Sequence, residues 1–384
     1  MNNSESLAQS TLLHEYVNAI RLTDLMPEDD LRPILLGLFG EVGSIMAPAK
    51  KLHREKEAYV DYQSAVEEEF GDTLWYLNAL TRRTGNSLPN LMSCAAEKQS
   101  HSKATVASDI PGGQVVHISS VSAPRELDDA LLNLGKAAAT LLILKDDRAQ
   151  TTELLEAFAL TYLQTLEVAK ISLARVVHGN LTKTRGRFLK PEISTLPIFD
   201  GAFEEDERLP DHFEIKIKLR KNGRSYLQWN GVFIGDPLTD SILDPDGYRF
   251  HDVFHFAHAA ILHWSPTFRA LIKQKRKSDK VIDEAQDGGR AIVVEEGLTA
   301  WLFSRAKGLK FFEDQTQVSF DLLKTVRQFV QGYEVETCPL YLWEDAIFQG
   351  YAVFRQVHTH NGGLVIGDRG TRTLTFQPLS DSVP

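Results

Sequence analysis

Apolar residues recur at three- and four-residue spacing over most of the chain, which predicts a mainly helical protein. "LAQSTLLHEYVNAIRL" (7–22) carries that spacing and "PEDDLRP" ends it. The spacing resumes at "ILLGLFGEVGSIM", where Pro48 is expected to interrupt it, and again over about 61–83. After "TGNSLPN" a short helix is expected through Lys98. Residues 101–125 lose the period and are rich in Ser and Gly, so they read as a linker. Helical spacing returns over about 126–145 and 151–178. From about 195 the pattern changes. "HFEIKIKLRKNGRSYLQW" alternates at Phe213, Ile215, Ile217 and Leu219 around Lys221-Asn222-Gly223, which predicts a β-hairpin. "GVFIGDPLTDSILDPDGYRF" reads as a loop. Helices are expected at about 250–263, 267–277, 289–307, 319–332 and 342–357, followed by an extended tail over 366–384.

The predicted organisation is a helical block over 1–100, the linker, a second helical block over 126–190, and a mostly helical C-terminal domain over 195–365 with a small hairpin. The second block reads as a faded copy of the first. "LLNLGKAAATLLILKDD" (131–147) lies over "LGLFGEVGSIMAPAKK" (36–51), with Gly135 over Gly40. "TYLQTLEVAKISLARV" (161–176) lies over "LWYLNALTRRTGNSLPNL" (74–91). In this pairing Lys136 replaces Glu41, Ala139 replaces Ser44 and Phe158 replaces Asp72. The copy keeps the apolar pattern and drops the acids.

Length and charge narrow the function. At 384 residues the chain exceeds one ordinary core. A formal net charge of -10 argues against a dedicated nucleic-acid binder or a protein of anionic membranes. Cys94 and Cys338 form no CxxC, which disfavours thiolate metal sites and a disulfide framework. The N-terminus lacks a signal-peptide pattern and no apolar run reaches membrane-spanning length. A reducing cytoplasm is the expected setting.

Candidate chemistry begins with acids. Glu69 and Asp72 are three residues apart in "EEFGD", so a helix places both on one face. Glu68 flanks that face, and Glu41 lies on the preceding helix. Packed antiparallel, the two helices would bring these acids together as oxygen ligands for Mg²⁺ or Mn²⁺. Such an ion can polarise a phosphoryl group and help generate a hydroxide nucleophile. Lys50, Lys51 and Arg54 follow on the Glu41 helix and are candidates to meet phosphates. A charge run such as Glu67–Glu69 is ordinarily a solvated face. Gly40, Gly43 and Gly71 beside the acids favour a site instead, because interior glycine weakens a helix by about 1 kcal/mol and needs a packing or access reason.

The segment "GLFGEVGSI…EEEFGDTLWYLNALTRRTGNSL" resembles the MazG-like nucleotide pyrophosphohydrolases of the all-α NTP pyrophosphatase superfamily, over roughly residues 10–98. "NLTKTRGRF" (180–188) resembles the ending of such domains and supports the tandem copy. The resemblance implies a tandem all-α helical bundle and Mg²⁺-dependent cleavage of a nucleoside triphosphate to monophosphate and pyrophosphate. It implies a homo-oligomer, because family members pair subunits, although a degenerate second repeat could complete that pair within one chain. The family carries ExxE on one helix and ExxD on the next. Carried over, Glu41 is the first acid, Ser44 stands where the second is expected, and Glu69 and Asp72 form the ExxD. Glu41, Glu69 and Asp72 would bind metal, with Glu68 or Glu69 as the water-activating base. Ser44 leaves open a nucleotide-binding regulator with an impaired site, in stress or anti-phage defence.

A second constellation lies in "DPDGYRFHDVFHFAHAAILHWSP". His251, His255 and His258 fall on one helical face, with Asp252 beside them. Glu295 and Glu296 lie on another expected helix, and Lys275 and Arg276 fall in the basic run "RALIKQKRKSD" between them. Together they are candidates for a second metal or phosphate site that could itself carry the chemistry. Core histidines and a solvated basic face would give the same pattern. This segment, with "DGGRAIVVEEGLTAW", resembles the C-terminal domain attached to some MazG-like proteins over about 210–305.

Overall fold

The computed structural model describes residues 3–56, 62–104, 124, 126–144 and 148–379. It falls into two compact units, Met1–Leu189 and Lys190–Pro384. Most of the segment read as a linker therefore lies outside the described residues. Among the described residues, no helix is long and apolar enough to cross a membrane.

The first unit is all helical: α1 (Asn3–Ile20), α2 (Arg32–Glu55), α3 (Tyr62–Arg83), α4 (Leu88–Ala104), α5 (Leu127–Leu141), α6 (Arg148–Val168) and α7 (Leu173–Phe188). Two sequence expectations are corrected here. α2 runs straight through Pro48. Pro48 has no N–H for the Ser44 carbonyl, a defect costing about 3 kcal/mol in a helix interior. It is buried beside Ile45 and Ala49 in the stripe begun by Ile34, Leu38 and Val42, and that burial holds the helix together. The helix expected over 151–178 instead divides at Lys170, whose backbone is left-handed at φ 58°.

That division exposes an internal likeness. The turn after α3 is closed by Thr84 N to Leu80 O, Gly85 N to Arg82 O and Asn86 N to Thr81 O. The turn after α6 repeats it with Ala169 N to Thr165 O, Lys170 N to Glu167 O and Ile171 N to Leu166 O. Gly85 and Lys170 occupy the same left-handed position, as a helix C-terminus of this kind requires. Aligned on the turns, buried residues coincide: Phe70 with Leu155, Thr73 with Phe158, Leu77 with Tyr162, Leu80 with Thr165. This moves the sequence pairing by one residue, so that Ala157 stands opposite Asp72. Apolar residues at both three- and four-residue intervals leave such a slip undetected in sequence. α7 packs on α3, and α4 packs on α6. The last helix of each half thus lies on the other half.

The second unit contains an antiparallel sheet in the order β3-β2-β1-β4-β5, from β1 (His212–Leu219), β2 (Ser225–Trp229), β3 (Val232–Leu238), β4 (Gly362–Asp368) and β5 (Thr373–Gln377). Its helices are α8 (Asp252–Ala257), α9 (Pro266–Ile272), α10 (Lys280–Ala285), α11 (Gly289–Ala306), α12 (Phe320–Phe329) and α13 (Leu340–His360). The expected hairpin is the β1–β2 pair, with Ile215 opposite Trp229. β3 occupies part of the segment read as a loop, β5 and the end of β4 lie in the segment read as an extended tail, and β4 begins just before it. β4 completes the central pairing, with Ile215 opposite Val365. Glycine masked it: a Cβ at Gly367 would lie 2.1 Å from the Phe213 ring, so only glycine fits beneath that aromatic.

His263 ends a π turn (His258–Leu262) in left-handed backbone at φ 58°. Its Nε2 lies 2.9 Å from the Arg369 carbonyl and therefore donates. Burial, then Arg369 and Arg372, push its imidazole down to about 4. The folded state favours neutral His263, so this contribution is complete above the ordinary value of about 6.5 and is lost as pH falls toward 4. The loss is at most about 3 kcal/mol. Urea unfolding at pH 7 and at about pH 4.5 is expected to show it. His263→Asn keeps an N–H donor and tolerates the left-handed backbone, and is expected to lose less on acidification. Equal losses in both proteins would place the acid sensitivity elsewhere.

Candidate functional site

α3 buries Val66, Phe70, Leu74 and Leu77 on one stripe. Glu69 and Asp72 follow on the adjacent face, half-buried. α2 packs along α3 and brings Glu41 to them. Carboxylate oxygens of Glu41, Glu69 and Asp72 lie within 4.8 Å of one another. Such crowding is costly for three anions. Burial first, then the Asp72 and Glu69 charges, push Glu41 up to about 7. Glu41 shares a hydrogen bond with Glu69. A hard divalent cation fits this all-oxygen set, because it would replace mutual repulsion with attraction.

The cationic partner comes from α7. Lys183 Nζ lies 2.5 Å from Asp72 Oδ2 and 2.9 Å from Glu68 Oε1. Asn180 Nδ2 donates to Asp72 Oδ1 at 3.1 Å. Buried Tyr16 donates its hydroxyl to Asn180 Oδ1 at 2.7 Å, which fixes the amide's orientation. Burial, with Tyr162 and Asp72 nearby, holds the Tyr16 phenol well above its ordinary value, so it remains a donor. Gly71 lets α7 approach: a Cβ there would lie 2.9 Å from Asn180 Cβ. Gly40 and Gly43 meet nothing within 4 Å, so helix packing does not explain them.

Lys50, Lys51 and Arg54 are exposed. Helical geometry carries Lys50 about 13 Å beyond Glu41 and half a turn round the axis. Arg54 pairs with Glu55. The acids thus assemble as the spacing predicts, while their cation is Lys183, not the α2 lysines. Ser44 lies on α2 three residues after Glu41, half-buried. Asn180 and Lys183 escaped the sequence reading as site residues. The signal was present in "NLTKTRGRF", where the two fall three apart on one helical face.

In the second unit, α8, the π turn that continues it and α11 bring His255, His258 and Glu295 within 4.8 Å of one another. Glu295 is fully buried and saturated with donors: His258 Nδ1 at 2.9 Å, Ser265 Oγ at 2.8 Å and Thr267 N at 2.9 Å. Burial raises its carboxyl, but His255 and His258 outweigh that and pull it down to about 2. Glu296 reaches His255 Nε2 at 3.2 Å and His251 Nε2 at 3.4 Å.

The basic run does not join this cluster. Arg276 is buried and donates to Asp287, Glu334 and the Phe199 carbonyl. Arg269 is buried against Asp200. Both guanidiniums are structural, which removes Arg276 as a phosphate ligand. Lys275 is half-buried beside it on the segment after α9.

Comparison with known proteins bears on this unit. Residues 194–380 match the family model of the MazG C-terminal domain, a wider span than the segment resembling it in sequence. No curated protein and no solved structure matched the chain. The C-terminal unit therefore belongs to the MazG C-terminal domain family, which supports a MazG-like protein.

Proposed function

We propose that the N-terminal unit is a metal-dependent nucleoside triphosphate pyrophosphohydrolase. The observation that supports it most is the convergence of Glu41, Glu69 and Asp72 beneath Lys183. Glu41, Glu69 and Asp72 would hold Mg²⁺ or Mn²⁺. When bound, the ion would neutralise phosphate oxygens and lower the pKa of a water. Glu68 lies beside the set, and its carboxylate is held by Lys183 in the absence of substrate. With a cation bound at Asp72, Lys183 would turn to meet a phosphate oxygen, and Glu68 or Glu69 would accept the proton of the attacking water. One water is consumed, and the products are a nucleoside monophosphate and pyrophosphate.

Asn180 and Lys183 come from the second half of the unit. This supports the reading that the degenerate repeat replaces a partner subunit in completing the site. Pyrophosphate release from a panel of NTPs and dNTPs, with and without Mg²⁺ or Mn²⁺, tests the proposal. No metal-dependent release from any of them would overturn it. Tight nucleotide binding without turnover would instead support the regulator, which the serine at position 44 favours.

Ser44 gives a direct variant. Ser44→Glu adds an anionic oxygen one helical turn from Glu41. Mg²⁺ affinity is expected to rise on the order of tenfold, about 1.4 kcal/mol, while the metal-free unit loses stability through added like-charge repulsion. Calorimetric titration and thermal melting read the two effects. Unchanged affinity would place position 44 outside the ligand sphere.

A further inference from the structure

The second unit holds a histidine cluster in which the His251 and His255 rings face Glu296 on one side and other fixed partners on the other. His251 Nδ1 lies 2.9 Å from the Tyr248 carbonyl. A carbonyl only accepts, so Nδ1 carries the proton, and Nε2 of the neutral ring presents a lone pair. Tyr248 stacks on the His251 ring at 4.3 Å and 5°, holding that orientation. His255 Nδ1 lies 3.0 Å from Glu295 Oε1, the carboxylate already fixed by His258, Ser265 and Thr267. His255 is fully buried, yet neither of its ring nitrogens makes a hydrogen bond of acceptable alignment.

The two Nε2 atoms face opposite oxygens of one carboxylate, Glu296, at 3.4 Å and 3.2 Å. Where both rings are neutral with Nδ1 protonated, that juxtaposition is acceptor against acceptor, and a cation between them relieves it. A ring proton is the competing source of that charge: burial pushes the His255 imidazole down, but Glu295 and Glu296 outweigh it and hold it well above its ordinary value. Buried Asp252 adds a third anchor, for donor atoms of His251, Asp252 and His255 lie within 4.8 Å of one another. A histidine that gives Nδ1–H to a carbonyl while presenting Nε2, as neutral His251 does, is oriented as a metal ligand is.

We propose that His251, His255, Asp252 and Glu296 bind a divalent first-row transition ion of the zinc or manganese type. Imidazole nitrogen mixed with carboxylate selects such ions over Mg²⁺ and Ca²⁺, which suit the all-oxygen set of the first unit. Glu296 is 37% exposed at its side chain, so the ion keeps a side open to water or an anionic ligand. Glu295 and His258 position the site from behind. The basic run takes no part.

The test uses the full chain carrying Glu41→Gln, Glu69→Gln and Asp72→Asn, which removes the three N-terminal acids as competing ligands. The protein is stripped with chelator, dialysed against Zn²⁺, Mn²⁺ or Mg²⁺ separately, and its metal content measured by mass spectrometry. Co²⁺ loading is followed by visible absorption. The expected result is one transition ion per chain, no retained Mg²⁺, and a visible Co²⁺ band. Glu296→Gln, at a partly exposed position, and His251→Asn are each expected to weaken binding at least about tenfold. Circular dichroism confirms that both variants are folded. No retained transition ion, or wild-type affinity in both folded variants, would overturn the proposal. It would mean that protons on His251 and His255 supply the cationic charge. Because the N-terminal acids are absent from the assay, either result leaves the pyrophosphohydrolase reading where its own test puts it.

Discussion

Asp72→Asn is expected to lower kcat for pyrophosphate release on the order of 10³-fold, about 4 kcal/mol of transition-state stabilisation. The variant removes one charge and keeps the shape. The asparagine carbonyl can still accept from Asn180, and Lys183 keeps Glu68 as a partner. Stability is expected to hold or rise, because Asp72 is one of the anions that push Glu41 up to about 7. Loss of activity without loss of stability separates a chemical role from a structural one. Lys183→Ala is the contrasting case. It strips the acids of their ammonium, so the metal-free unit should lose stability, and KM should rise along with any fall in kcat. Steady-state kinetics beside thermal melts read both. A melting temperature that falls in step with kcat in Asp72→Asn would sink the assignment.

How much of this was legible depended on distance along the chain. Glu69 and Asp72 are three residues apart, and helix geometry alone puts them on one face. Glu41 required only that neighbouring helices pair. Lys183 stands 111 residues from Asp72, and no local pattern points from one to the other. The α2 lysines were assigned to phosphate because they were near in sequence, and the helix then carried them away from the acids. In the second unit the β1 alternation was legible because one face is buried and the other wet. β4 lies in the same sheet but replaces side chains with Gly363 and Gly367, where the Phe376 and Phe213 rings lie. Its pattern therefore reads as a tail. The basic run misled for a related reason. Positive charge was visible, but the anions that absorb it, Asp200, Asp287 and Glu334, arrive from other parts of the chain.

Asp200→Ala is expected to destabilise the C-terminal unit by about 3–5 kcal/mol, the largest stability effect foreseen for one substitution. Asp200 is buried, with Oδ2 accepting from Arg269 at 2.7 Å and from the Leu209 amide at 2.8 Å, and Oδ1 accepting from Arg369 at 2.7 Å. Burial pushes its carboxyl up, but Arg369 and Arg269 outweigh that and hold it below the usual range. Removing it strands two guanidiniums that are themselves buried. Arg369 retains the Leu209 carbonyl, and Arg269 retains the Glu207 and Gln274 carbonyls, so neither can swing to solvent without breaking further bonds. The melting temperature should fall by about 10 °C or more. Replacing all three ions, as Asp200→Leu with Arg269→Met and Arg369→Met, should cost less than the single Asp200→Ala change. An apolar trio leaves no uncompensated charge behind. If the triple variant proves the less stable of the two, the network contributes net stabilisation beyond charge neutrality. The ties from α9 and the β4–β5 turn to the Asp200 loop would then count among the forces that hold this unit together.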